Sequence, residues 1–101
     1  MKGCCREYLM GQFGEEEIVA EIYGEYVSSL SQKLEECDSA LAENDWIKLD
    51  RSAHAMKGKS LAAGDNEVAE VAIALRNAAK LQDGDKCAEL VAKVKELSAQ
   101  L

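Results

Sequence analysis

Apolar residues recur every three or four positions along most of this chain, which is the pattern of amphipathic helices. The longest such run covers residues 15–43, with apolar positions at Ile18, Ile22, Tyr26, Leu30, Leu34, Cys37 and Leu41. Residues 46–63 place Trp46, Leu49, Ala53, Met56 and Ser60 on one side. Two further faces comprise Val68, Val71, Ala72, Leu75 and Ala79, and then Cys87, Leu90, Val91, Val94 and Leu97. The pattern therefore predicts four helices.

Helix-ending and helix-starting residues separate these runs. Asn44 suits a left-handed C-terminal position, and Asp45 suits the N-cap of the next helix. Gly64 ends the second run and is followed by Asp65 and Asn66, either of which can cap the third. The sequence Gln82-Asp83-Gly84-Asp85 has the same stop-and-cap character.

Connections this short place consecutive helices side by side and antiparallel. We therefore expect an all-α fold, an antiparallel up-down four-helix bundle, formed by residues 15–101. Residues 1–14 are an N-terminal segment in which residues 4–12 could add a short helix. At 101 residues the chain has the length of one domain.

The composition of the chain argues against several classes of function. The net charge of −7 argues against nucleic-acid binding and against anionic membrane surfaces. No run of about 18 apolar residues is present, so no spanning helix is expected, and the N-terminus lacks the apolar core of a signal peptide. The four cysteines form neither a CxxC pair nor a cluster with histidine, which favours free thiols in a reducing, cytoplasmic compartment and no metal site. We expect a monomer.

His54 is the only histidine, and a helical wheel places it about 130° from the apolar face of its helix. It belongs instead to a second stripe, which comprises Ile47, Arg51, His54, Gly58 and Leu61. Apolar residues beside a titratable group on an exposed face are typical of a docking surface. Gly58 costs roughly 1 kcal/mol of helix propensity, which indicates that something approaches the helix closely there.

Cations are expected around this imidazole. Lys57 lies between the stripe and the core, where its long side chain can lean toward His54. An antiparallel turn at Gly64 would bring Arg76 within one turn of the level of His54. Lys59 projects to the far side and is discounted. Arg51, Lys57 and Arg76 would then favour an anion beside His54 in an otherwise acidic protein.

The segment His54-Ala55-Met56-Lys57-Gly58-Lys59-Ser60, with Gly64 ten residues after the histidine, resembles the motif of histidine-containing phosphotransfer (HPt) domains. The approach Leu41-Ala42-Glu43-Asn44-Asp45-Trp46 and the exit at residues 82–85 are also similar, so the resemblance covers about residues 15–101. One position departs from the family. Many members carry Gln or Glu 22 residues after the histidine, and here the residue is Arg76, which cannot accept a hydrogen bond but can pair with phosphoryl oxygens.

The resemblance implies a phosphorelay intermediate rather than an enzyme. His54 would accept a phosphoryl group on Nε2 from a receiver-domain aspartate and pass it to another receiver, in a response regulator or a hybrid histidine kinase. Lys57 and Arg76 would offset phosphoryl charge, while Ile47, Arg51, Gly58 and Leu61 would contact the partner. No cofactor is implied in this chain, because the magnesium ion belongs to the receiver.

Two alternatives stay open. A degenerate bundle of this kind could act as an adaptor or inhibitor of a receiver or kinase, with His54 idle. An unrelated helical binding module could instead use Cys4 and Cys5 as a thiol sensor. Phosphotransfer from a receiver would separate the first alternative from the relay, and thiol titration would test the second.

Overall fold

All 101 residues are described by a computed structural model, in which every regular element is a helix. Helix α1 spans Gly3–Phe13, α2 spans Glu16–Glu43, α3 spans Trp46–Ala62, α4 spans Asn66–Lys80 and α5 spans Gly84–Ser98. The expected all-α class is confirmed, and the N-terminal segment does contain a fifth, shorter helix. None of the five is both long enough and apolar enough to cross a bilayer.

The helix ends follow the predicted chemistry. Asp45, Asp65 and Asp83 are the N-caps of α3, α4 and α5, and each carboxylate accepts a hydrogen bond from a backbone N–H three residues later. Asn44 adopts the left-handed conformation with a φ of 54°, as its position after α2 predicted. Gly64 has a φ of 76° in the turn between α3 and α4.

The four longer helices close a ring of contacts. Each of α2, α3 and α4 packs on the next helix in the chain, α5 also packs on α2, and α1 lies against α2. The centre is filled by fully buried side chains from every helix, among them Leu9, Leu30, Leu49, Met56, Leu75 and Val94. This arrangement leaves one long face of α3 exposed, because the opposite face supplies its buried residues.

The start of α2 differs from the expectation. Ile18 was predicted to face the core, but it is 39% exposed, whereas Val19 is fully buried and Tyr23 nearly so. Each step of four residues rotates a helix about 40° beyond a full turn. A stripe traced by successive steps of four, as from Ile18 to Leu34, therefore drifts off one face, and the prediction was wrong at its first position.

A buried carboxylate joins α1 to the rest of the fold. Asp65 is inaccessible to solvent, caps α4, accepts a hydrogen bond of 2.7 Å from the Tyr26 hydroxyl and pairs with Lys2 Nζ at 2.8 Å. The Ser60 hydroxyl in turn donates to the Tyr26 oxygen, with 3.2 Å between Oγ and the phenolic oxygen. The pKa of Lys2 is raised, since the hydrogen bonds and charges of Asp65 and Glu67 outweigh the opposing effect of partial burial, which is the largest single cause. Sequence reasoning identified Asp65 only as a cap.

Candidate functional site

The stripe on α3 is exposed along its whole length. His54, Arg51 and Gly58 are exposed, and the two apolar members of the stripe, Ile47 and Leu61, are 68% and 46% exposed. On the opposite side of the helix, Leu49, Ala53 and Met56 are fully buried. Burial of that face fixes the rotation of α3, and the rotation presents the imidazole to solvent.

Gly58 and Lys57 border the imidazole on its C-terminal side. A Cβ atom built on Gly58 would meet no atom within 4 Å, so no packing inside this protein requires a glycine there. Lys57, three residues after His54, is half-buried and makes neither an ion pair nor a hydrogen bond. The site thus offers a free ammonium group and an open stretch of helix beside an accessible nitrogen nucleophile.

Arg76 differs from the expectation of a free cation beside His54. Its Nε donates a hydrogen bond of 2.9 Å to Asp50 Oδ1, and the two side chains are 26% and 29% exposed. The hydrogen bond from Arg76 is the main cause that lowers the pKa of Asp50. No sequence pattern indicated this pair, although Asp50 lies one helical turn before His54 and on the same side of α3.

Ile73 is an apolar residue near the stripe that sequence reasoning missed. It lies nine residues after Gly64, whereas His54 lies ten before it, so the two residues are nearly level along the paired helices α3 and α4. Ile73 is 44% exposed and lies about 60° around α4 from Arg76, which faces α3. The clue in the sequence was that this isoleucine falls outside the buried face of α4.

The clefts of this protein do not include His54. An open cleft of about 520 Å³ lies between α2 and α3 and is lined by residues that include Lys33, Glu36, Lys48 and Arg51. A second cleft of about 270 Å³ joins the start of α3 to the end of α4, beside Ile47 and Asp50. His54 lines none of the clefts. Such a surface suits a macromolecular partner better than an enclosed small molecule.

Charge distinguishes α3 from its neighbours. This helix carries four cations and one carboxylate, Asp50, within a chain whose net charge is −7. The preceding helix, α2, carries eight carboxylates and one lysine. The helix that carries His54 is therefore cationic within a protein that is acidic as a whole.

One known family matches most of this chain. The family model of the Hpt domain matches residues 21–101. This chain belongs to the Hpt domain family. No curated protein and no solved structure matches the chain.

Membership associates the chain with histidine–aspartate phosphorelays, in which Hpt domains are phosphocarriers and receiver domains are their partners. The matched region contains α3, α4, α5 and most of α2, and therefore every residue of the exposed stripe. No group of three or more histidine, cysteine or acidic side chains is placed to hold a metal ion.

Proposed function

We propose that this Hpt domain is a phosphorelay intermediate that accepts a phosphoryl group on His54 from the aspartyl phosphate of one receiver domain and passes it to another. The observation that carries the proposal is the exposed imidazole of the only histidine, on a bare, cationic helix face. Nothing in the chain has to move to admit a partner, since Gly58 leaves the backbone beside His54 uncovered.

The chemistry needs little from this chain. The neutral Nε2 of His54 would attack phosphorus, an N–P bond would form as the P–O bond to the receiver aspartate breaks, and the aspartate would leave as a carboxylate. The magnesium ion of the receiver and its own cations would carry most of the charge stabilisation. Lys57 would offset phosphoryl charge once the group rests on His54, because its ammonium has no other partner.

The partner surface in this proposal extends beyond the five stripe residues. Ile47, Arg51, Gly58 and Leu61 would contact the receiver along α3, and Ile73 would extend the apolar contact onto α4. Their exposure and their placement on both sides of His54 support this extent. An interface of this kind belongs to the small, transient class, which suits a carrier that must release one receiver before it meets the next.

The scaffold in this proposal is an antiparallel up-down four-helix bundle formed by residues 15–101, to which the N-terminal segment of residues 1–14 adds α1. The closed ring of contacts among α2 to α5 and the short connections support it. We further propose that the chain acts as a cytoplasmic monomer, consistent with four unpaired thiols.

The test is phosphotransfer from phosphorylated receiver domains of the source organism to the wild type and to His54→Gln. The wild type should acquire label that is lost in acid and kept in base, as expected for a phosphoramidate, and His54→Gln should acquire none while its helical circular dichroism is unchanged. Label on His54→Gln would refute the assignment. Receiver binding without any transfer would instead support the adaptor.

A further inference from the structure

The Asp50–Arg76 ion pair lies within one helical turn of His54 but has no part in the transfer chemistry described above. Asp50 precedes His54 by four residues in α3, which places their Cβ atoms about 6 Å apart. Side chains of a helix lean toward its N-terminus, so the imidazole of His54 lies over the turn that begins at Asp50. The guanidinium bound to Asp50 is therefore close to the position that a phosphoryl group on His54 would occupy.

The geometry of the pair leaves most of the guanidinium free. Arg76 donates to Asp50 through Nε alone and makes no other hydrogen bond or ion pair. A guanidinium has five N–H donors, so the four on its two terminal nitrogens stay available. A carboxylate bound to those terminal nitrogens would compete with a phosphoryl group for them. A carboxylate bound to Nε leaves the terminal nitrogens free and orients them.

We propose that Asp50 is a positioning residue, which holds the Arg76 guanidinium by Nε so that its terminal nitrogens face a phosphoryl group on His54. This inference rests on the proposed function, because it concerns the phosphorylated state of that histidine. It also gives a role to Arg76, whose side chain replaces the hydrogen-bond acceptor that many Hpt domains carry at this position.

If Asp50 acted on the phosphoryl group only through its negative charge, its removal would have the opposite effect to the one that the proposal predicts. Asp50 is an anion within one turn of His54, and an anion repels a phosphoryl group. If repulsion were its whole effect, removing the carboxylate would favour the phosphoryl dianion. If Asp50 positions Arg76, removing the carboxylate disfavours the dianion, because the guanidinium is no longer held beside it. The sign of one measured shift therefore separates the two views.

The experiment measures the pKa of the phosphoryl group on His54 by phosphorus NMR, with the full chain phosphorylated by phosphoramidate, which transfers its phosphoryl group and releases ammonia. We expect Arg76→Gln to raise this pKa by about half a unit, equivalent to about 0.7 kcal/mol. Asp50→Ala should also raise it. Asp50→Asn should raise it less than Asp50→Ala, because asparagine keeps an oxygen that can accept from Nε.

A double variant shows whether Asp50 acts through Arg76. In the Arg76→Gln background, Asp50→Ala should lower the phosphoryl pKa slightly, since only repulsion is then removed. Asp38→Asn is the matched control: it removes a carboxylate from the Asp38–Lys95 pair between α2 and α5, and should leave the phosphoryl pKa unchanged. Circular dichroism checks that each variant folds.

Two results overturn the inference while the proposed function stands. One is a lowered phosphoryl pKa in Asp50→Ala, and the other is an equal rise in that variant with and without Arg76. A wild type that acquires no phosphohistidine from receivers or from phosphoramidate would overturn the proposed function and this inference with it.

Discussion

At the scale of single residues, two of the cations expected beside His54 are in different states. Lys57 is free, whereas Arg76 is held by Asp50. If His54 carries a phosphoryl group as proposed, Lys57 would be free to move toward that group, whereas Arg76 would meet it with its guanidinium already held. This difference makes the contribution of each cation separately measurable.

Lys57→Ala should shorten the lifetime of phosphohistidine or slow transfer by about threefold to tenfold, because partly exposed charge contacts contribute about 1 kcal/mol. Receiver affinity should change little. Lys59→Ala is the control, since this exposed lysine is two residues further along and on another side of α3. If Lys57→Ala loses receiver affinity as much as it loses transfer, Lys57 is a docking contact instead.

At the scale of helices, two glycines that flank the end of α3 have opposite reasons to be glycine. Gly58 lies within the helix, where open space surrounds its Cα. Gly64 follows the helix with a φ of 76°, and a Cβ there would collide with the Cβ of Tyr8 in α1. Folding therefore requires Gly64, whereas Gly58 adds nothing to the stability of the fold.

Gly58→Gln should therefore raise the free energy of unfolding by about 0.5–1 kcal/mol and still slow receiver transfer at least about tenfold, by obstructing the partner. Gly58→Ala should give the same stability with a smaller loss of transfer. Gly64→Ala should lower the free energy of unfolding by at least about 1–2 kcal/mol. Unchanged transfer in Gly58→Gln would show that no partner approaches the helix closely there.

The N-caps of α4 and α5 can be compared to measure how much the buried network adds to stability, because only the cap of α4 belongs to that network. Asp65→Asn should lower the free energy of unfolding by about 2 kcal/mol, because the buried carboxylate also satisfies Tyr26 and Lys2. Asp83→Asn should change it by less than about 0.5 kcal/mol, since the side chain is exposed and asparagine caps as well as aspartate. Chemical denaturation of both variants measures the difference. Equal effects would mean that Asp65 acts only as a cap.

At the scale of the whole molecule, packing removes three of the four thiols from solvent. Cys4 is exposed, whereas Cys5, Cys37 and Cys87 are buried. Burial is the main cause that raises the pKa of Cys5 and of Cys37 to about 12, and it also raises the pKa of Cys87. Since the thiolate is the reactive form, this disfavours a sensor that uses Cys5.

A thiol reagent at neutral pH should therefore modify one cysteine rapidly in the native protein and all four after denaturation. Cys4→Ser should abolish the rapid reaction, which identifies the site. Rapid modification of two thiols in the native wild type would show that Cys5 is reactive after all, and would restore the thiol-sensor alternative.

The helices, their caps and the exposure of His54 could be predicted from the amino-acid sequence alone. Each of these depends on residues within about one turn of each other. A cap is a side chain that bonds to the first turn of its own helix, and the residues buried on one side of a helix determine which residues face solvent on the other side. The motif around His54 lies within one such helix, so the family and the candidate phosphoacceptor could be predicted from the same segment.

Three features became visible only in the folded molecule: the pairing of Asp50 with Arg76, the burial of Asp65 beneath Tyr26 and Lys2, and the choice of Val19 rather than Ile18 for the core. These contacts join residues far apart in sequence, or depend on how a helix is rotated against neighbours that its own periodicity does not specify. Helical periodicity gives the direction of a side chain to within tens of degrees. An ion pair at 2.9 Å also needs the positions of two helices relative to each other.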